Sequence, residues 1–284
     1  MCQAKQYGDD GPEAGGRLGP YRLDARLGEG AMGVVFRAVR EPDGAAVALK
    51  VLRRELAADE VYRRRFAHEA RAAAEAAHPH LARVLEAGEA EGLLYLAVGY
   101  VEGRSLADRL AAEGPLPLLD LLRLAAEVGA ALDALHARGL VHRDVKPSNV
   151  LLDRAGSAVL GDLGLAKGRA YTVLTRPGQV LGTLDYLAPE LIRGVPAGPP
   201  SDIYALGCVV FECMAGAPPF AGRSLLEVGV AHLQEEPSDA AAGRADLPPT
   251  LSWAVGQALA KDPDRRPTTA TAFARMLRVA ADQP

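Results

Sequence analysis

"VHRDVKPSNVLL", residues 141–152, decides how the rest of this chain is read. It crowds His142, Arg143, Asp144, Lys146 and Asn149 into one short loop, and Pro147 keeps a helix from running through it. A loop that only had to turn would more often use Gly, Asn or Ser. Either the charges belong to a solvated surface, or the loop does chemistry.

A second loop sharpens the choice. In "LGDLGLAK", 160–167, Asp162 follows the apolar run "AVL", just as Asn149 precedes "VLL". Asp144, Asn149 and Asp162 are three oxygen-bearing side chains in two loops beside strand-like runs. Hard cations such as Mg²⁺ take such ligands and usually keep phosphate oxygens in the rest of their shell. Gly164, two residues after Asp162, permits a sharp backbone turn.

Outward from these loops, the chain divides by character. Residues 1–18 are Gly-rich and polar and read as a disordered leader. From Tyr21 to about Val98, short strands surround one helix: "YRLDARLGEG" and "GVVFRAVR" pair across a Gly-rich turn, and "AAVALKVL" and "LLYLAVGYV" are further strands. Residues 59–77 read as the helix, ended by His78-Pro79. After Gly103 the pattern turns helical, with long helices over 117–137 and 201–215 and shorter ones over 250–260 and 268–280. A strand-rich part followed by a helix-rich part suggests two lobes joined near 99–103.

Composition agrees. With 284 residues, 49% hydrophobic and 24% charged, the chain fits one large domain or two lobes. A net charge of −4 argues against a nucleic-acid-binding surface as its main purpose. Three cysteines without a CxxC pair exclude a zinc ribbon or a disulfide framework and suit reduced thiols in a cytosolic protein. No apolar run marks a signal peptide in 1–16. The most membrane-like stretch, 203–220, contains Glu212 and ends in Pro-Pro, so a buried core helix is expected there and no membrane span.

Two strands of the first lobe carry further candidates. "LGEGAMGVV", 27–35, sets Gly28, Gly30 and Gly33 in GxGxxGxV order. A strand follows, whereas a Rossmann turn would require a helix. The pattern is either a plain hairpin or a hairpin whose backbone N–H groups approach phosphates. Lys50 stands mid-strand with Leu49 and Val51 on the opposite face, either reaching solvent or holding an anion. Glu69, in the first lobe's helix, is its candidate partner or a solvated helix residue.

Together these segments resemble the eukaryotic-like (Hanks-type) protein kinases, especially the bacterial serine/threonine kinases. The elements follow the family's order over about 18–281: GEGAMGVV, VALK, Glu69, HRDVKPSN, DLG, GT with LAPE, SDIYALGC and RRP. The resemblance implies an α+β, two-lobed fold: a small β-rich N-lobe with one main helix (19–98), a hinge (99–103) and a larger helical C-lobe (104–281). It implies transfer of the γ-phosphoryl group of ATP, with Mg²⁺ or Mn²⁺, to Ser/Thr hydroxyls of protein substrates in the cytoplasm. Asp144 would accept or orient the hydroxyl proton, Lys146 steady the γ-phosphate, Asn149 and Asp162 hold the metal, and Lys50, paired with Glu69, hold the α- and β-phosphates. The nucleotide would meet Leu27, Gly28, Glu29, Gly30, Ala31, Met32, Gly33, Val34, Val35, Ala48 and Leu151, with its edge at the backbone of 99–101, Gly99 and Val101 included. His142 would be structural, and His136 and His232 receive the same reading. Asp202 would brace the catalytic loop and Glu190 pair with Arg266. Autophosphorylation of the 162–190 segment, with Thr172 and Thr175 as candidate acceptors and a homodimer as the activating assembly, completes the expectation.

Three departures stand out. Gly99 replaces the family's usual Glu, Leu163 the Phe of DFG, and Ala73 a larger apolar residue. None removes a catalytic group. Two rivals are a pseudokinase binding module, which typically lacks the Lys or an Asp present here, and a small-molecule phosphotransferase, which lacks the "GTLDYLAPE" platform.

Overall fold

The computed structural model describes residues 12–30, 32–164 and 184–283. The chain forms two compact units, one of residues up to His78 together with Ala82–Val101, the other of Pro79–Leu81 and the chain from Glu102 onward.

The first unit is built on a six-stranded antiparallel sheet of order β1-β2-β3-β4-β6-β5. The strands are β1 (Arg17–Leu18), β2 (Tyr21–Gly30), β3 (Gly33–Arg40), β4 (Ala45–Leu52), β5 (Val84–Ala90) and β6 (Leu93–Gly99). Alternation sets one face: Leu18, Tyr21, Leu23, Phe36, Ala38, Val47 and Leu49 are buried in a single core. Helix α2 (Glu60–Glu75) packs on β5, after a short α1 (Arg54–Ala57). Asp59 caps α2 by accepting hydrogen bonds from the amides of Val61 and Tyr62.

Here one expectation needs correction. Arg17 and Leu18 are not leader: they pair with Arg22 and Tyr21, and Leu18 is fully buried. A two-residue strand carries no periodicity, so only its partner reveals it. Strand β5 escaped notice because "VLEAGEA" shows little apolar alternation.

The second unit starts with a three-stranded sheet, β7 (Gly103–Ser105), β8 (Val150–Asp153) and β9 (Ala158–Leu160), in that order. The segment 79–81 belongs with it, since the Leu160 amide donates to the His80 carbonyl at 2.8 Å. Around this ribbon lie α3 (Leu106–Glu113), α4 (Leu118–His136), α5 (Pro189–Ile192), α6 (Pro199–Ala215), α7 (Leu225–Gln234), α8 (Thr250–Ala258) and α9 (Ala270–Ala281). Helix α6 is buried from Ser201 to Phe211 without a break, its largely apolar run 203–211 packing all round and Asp202 buried with it. Gly216, at φ 85°, ends it in the left-handed region. No described helix is long and apolar enough to cross a membrane. Helices α3 and α7 were not foreseen.

Candidate active site

The loop of residues 141–149 leaves α4, passes through a single 3₁₀ turn (Pro147–Asn149) and enters β8. Its anchor comes from sixty residues away. Asp202, near the start of α6 and 1% exposed, accepts from the His142 amide (2.8 Å) through Oδ2 and from the Arg143 amide (2.9 Å) through Oδ1. His136 Nε2 adds a third bond to Oδ2, at 2.8 Å. A buried carboxylate needs such donors, and here they hold Arg143 at φ +66°, a conformation rare for a residue with a Cβ. The next residue is Asp144.

Asp144 is itself buried at 8% exposure. Lys146 Nζ lies 3.1 Å from its Oδ2. The Asn149 side-chain amide donates to the Asp144 carbonyl (2.7 Å) and to its Oδ2 (3.0 Å). That orientation leaves Asn149 Oδ1 as the amide's acceptor end. His142, fully buried, connects the two loops: Nε2 donates to the Gly161 carbonyl at 2.9 Å, and Nδ1 accepts from the Asp144 amide at 3.3 Å. These bonds select a neutral tautomer. Burial pushes the His142 pKa down, against the pull of Asp202, so the ring stays a spacer rather than a proton carrier.

The Asp162 loop is tied to the same frame. Gly161 N donates to the Asn149 carbonyl (2.8 Å) and Gly164 N to that of His142 (3.2 Å). The left-handed residue is Asp162, at φ 44°, not Gly164. Gly164 is required for another reason: a Cβ there would lie 2.5 Å from the His142 carbonyl oxygen. Asn149 and Asp162 thus form a pair of oxygen donors on hydrogen-bonded backbones. Among the described residues no cluster of three or more His, Cys, Asp or Glu could cage a metal. Two oxygen ligands suit a hard cation that keeps phosphate and water oxygens.

Beside this frame, Arg266 grips Glu190 through two parallel bonds of 2.8 Å each. Ser201 Oγ also donates to Glu190 (2.7 Å), and Arg266 reaches the carbonyls of Pro200 and Ala260. Burial would raise the Glu190 pKa, but Arg266 and Ser201 outweigh it and hold it low. In a buried pair, filled donors and two-pronged geometry offset the cost of desolvating the charges. Tyr186 donates to Glu212 at 2.6 Å, and burial raises the Glu212 pKa.

The first unit holds the other candidates. Gly28, Gly30 and Gly33 lie on the β2–β3 hairpin, with Gly30 opposite Gly33. Gly33 is forced by packing, since a Cβ would meet the Val51 carbonyl at 1.9 Å. Around Gly28 and Gly30 nothing lies within 4 Å, so neither packing nor φ accounts for them. Leu27 is 48% exposed, Met32 is buried, and Val34 and Val35 are half-buried. Glu29 is drawn to Arg26 and Arg53. Lys50 pairs in register with Val35 and Leu96, half-buried between the fully buried Leu49 and the buried Val51, and Glu69 is buried on α2. Ala48 lies opposite Val98. The amides of Gly99 and Tyr100 are spent on the carbonyls of Arg83 (2.9 Å) and Ala46 (3.3 Å), so neither is a hinge donor to a ligand. Val101 is half-buried, and Leu151 pairs with Ser105 and Val159 in the second unit.

Residues 21–277 match the protein kinase domain family. The chain belongs to this family. It is 36% identical to the serine/threonine-protein kinase PknD of Mycobacterium tuberculosis over 90% of its length, covering 39% of that protein. With PknE of the same organism it shares 37% identity over 95% of its length and 48% of the relative's. The kinase domain thus spans less than half the length of either relative. In structure it resembles the M. tuberculosis PknI kinase domain, with a TM-score of 0.76 and 32% identity over 95% of this chain and all of that one. Membership implies ATP as phosphoryl donor, a divalent cation and protein substrates.

Ala31, Thr172 and Thr175 lie outside the described residues. His136 is structural, as expected, but its partner is not legible nearby: nothing near it in sequence points to Asp202, 66 positions on.

Proposed function

We propose that this kinase domain is an active serine/threonine protein kinase. The observation that carries the reading is the Asp144–Lys146–Asn149 cluster, a carboxylate, an ammonium and an amide within 3.1 Å links on one backbone frame. Asp144 Oδ2 takes the proton of a Ser or Thr hydroxyl as that oxygen bonds to the γ-phosphorus and the bridging β–γ oxygen leaves with ADP. Lys146 stabilises the charge on the transferring group. Lys50, with Glu69, orients the α- and β-phosphates. Asn149 Oδ1 and Asp162 would hold Mg²⁺, which would supply neutralisation of phosphate charge. The hairpin Leu27–Val35, with Ala48, Leu151, Gly99 and Val101, takes the nucleotide. We assign 17–78 and 82–98 to the N-lobe, 99–103 to the hinge, and 79–81 with 104–281 to the C-lobe. The buried free thiols of Cys208 and Cys213 support a cytoplasmic site of action. Two copies pair to phosphorylate Thr172 or Thr175.

The test is Asp144→Ala and Lys50→Met. Each should lower kcat/KM by at least ~10²-fold while the melting curve remains cooperative. Near-wild-type turnover in either variant removes the assignment.

A further inference from the structure

We propose that Lys261 is an acylation site, an amine held among aromatic rings that accepts an acyl group from a small thioester. Its Nζ lies where α6, α7 and the loop between them meet, all within the second unit. The Phe220 ring centroid is 5.0 Å away and that of Tyr204 5.7 Å. Its two hydrogen bonds, to the Tyr204 hydroxyl and the Ala231 carbonyl, are long at 3.5 Å each. The chain has five lysines. Lys50 and Lys146 belong to the phosphoryl-transfer set, and Lys5 and Lys167 lie outside the described residues. Lys261 is the one described lysine that the reaction does not use.

The surroundings suit a neutral amine better than an ammonium. Among the described residues Lys261 makes no ion pair, whereas Lys146 has Asp144 at 3.1 Å. Each titratable or charged group around it fails to supply an anion in contact. On α6, burial pushes the Tyr204 and Cys208 pKa values up, so both keep their protons. On α7, His232 is pushed down to about 4 and is neutral at pH 7. Glu235 is held by Arg223 at 2.8 Å, and Glu236 is exposed. Arg266 is a second cation on the same tyrosine, its guanidinium 4.8 Å from the Tyr204 centroid. Ring faces attract an ammonium, but they replace its lost water only in part. Burial therefore lowers the Lys261 pKa, and Arg266 adds to the shift, against the pull of Cys208, Glu236 and Glu235.

Desolvation and a neighbouring cation are the two conditions that activate a lysine as a nucleophile, and Lys261 meets both. Its lone pair attacks the thioester carbonyl carbon. A C–N bond forms, the C–S bond breaks, and the thiolate leaves and takes up the proton that the nitrogen sheds. The amide product suits the site. It has no charge to desolvate, keeps one N–H for the Tyr204 hydroxyl or the Ala231 carbonyl, and adds apolar surface beside the two rings. The residue is half-buried, which leaves a small electrophile a way in. Nothing in this reaction rests on the kinase reading.

The experiment treats the full chain with the acetyl thioester of N-acetylcysteamine at several pH values and reads each lysine by peptide mass spectrometry. A short peptide with one exposed lysine shares the tube as reference. The neutral fraction of an amine grows about 10-fold for each unit its pKa falls, so near neutral pH Lys261 should acetylate at least ~3-fold faster than the reference. Its rate should also level off at a lower pH. Equal or slower acetylation, or a pH profile that matches the reference, overturns the proposal. In denaturing urea the excess should vanish. An excess that persists there overturns it as well, because local sequence would then be the cause. Glu235→Gln/Glu236→Gln changes two exposed residues and removes carboxylates that favour the ammonium, so acetylation should quicken. A slower reaction in that variant overturns the proposal too.

Discussion

Replacing Asp202 by Asn tests whether one buried carboxylate holds the catalytic loop. The side chain keeps its size, so packing is not the variable. Three donors converge on the carboxylate: the amides of His142 and Arg143 and the ring of His136. An amide can turn its oxygen toward His142 and His136, but its NH₂ then faces the Arg143 N–H. One charge-assisted bond is lost, at about 1.5–3 kcal/mol, and two become neutral bonds, each weaker by about 1 kcal/mol. The cost is then ~3.5–5 kcal/mol. At roughly 2 °C per kcal/mol for a chain of this length, Tm should fall by ~7–10 °C. Activity should fall as well. Arg143 sits at φ +66° and Asp144 follows it directly. Once its amide has no acceptor, Arg143 can relax toward a common conformation and carry Asp144 with it. We expect kcat to drop at least ~10-fold, the scale of a misplaced catalytic group. A thermal melt and a peptide phosphorylation assay, both at temperatures where the variant is folded, measure the two effects. A Tm within ~2 °C of wild type together with unchanged kcat would refute the reasoning.

Two further outcomes follow from the site and its support. Gly164→Ala places a methyl group 2.5 Å from the His142 carbonyl oxygen, so it should separate the two loops and cut kcat at least ~10-fold; kinetics equal to wild type would show that the loops yield easily. His232 is fully buried against Tyr204, and burial, aided by Lys261, lowers its pKa from 6.5 to about 4. Because the folded state resists its protonation, its contribution to stability is complete above pH ~6.5 and is lost as pH falls toward 4. Over the step from pH 7 to 5 that is roughly 2 kcal/mol. Denaturant titrations at both pH values should show this loss in wild type and a smaller one in His232→Asn. Equal losses would clear this histidine of the effect.

Local pattern determined much about this protein. The charged loop 141–149, the glycine hairpin and the phase of Lys50 between Leu49 and Val51 are all readable within a few residues. So is the mostly apolar stretch that becomes α6. Strand and helix periodicities act over such distances, so the strand-rich and helix-rich parts were legible too. Tertiary structure alone decided the rest. Arg17–Leu18 becomes a strand only because β2 lies beside it. Left-handed φ values fall on Arg143 and Asp162, where no glycine advertises them. Gly164 is needed because another loop's carbonyl approaches it, not because its own backbone turns sharply. His136 gains its role from an aspartate 66 positions away, and Lys261 meets the rings of Tyr204 and Phe220 only when the chain beyond α8 packs on α6. In each case the deciding partner is distant along the chain, and only the buried contact, with its demand that every polar group find a mate, brings the two together.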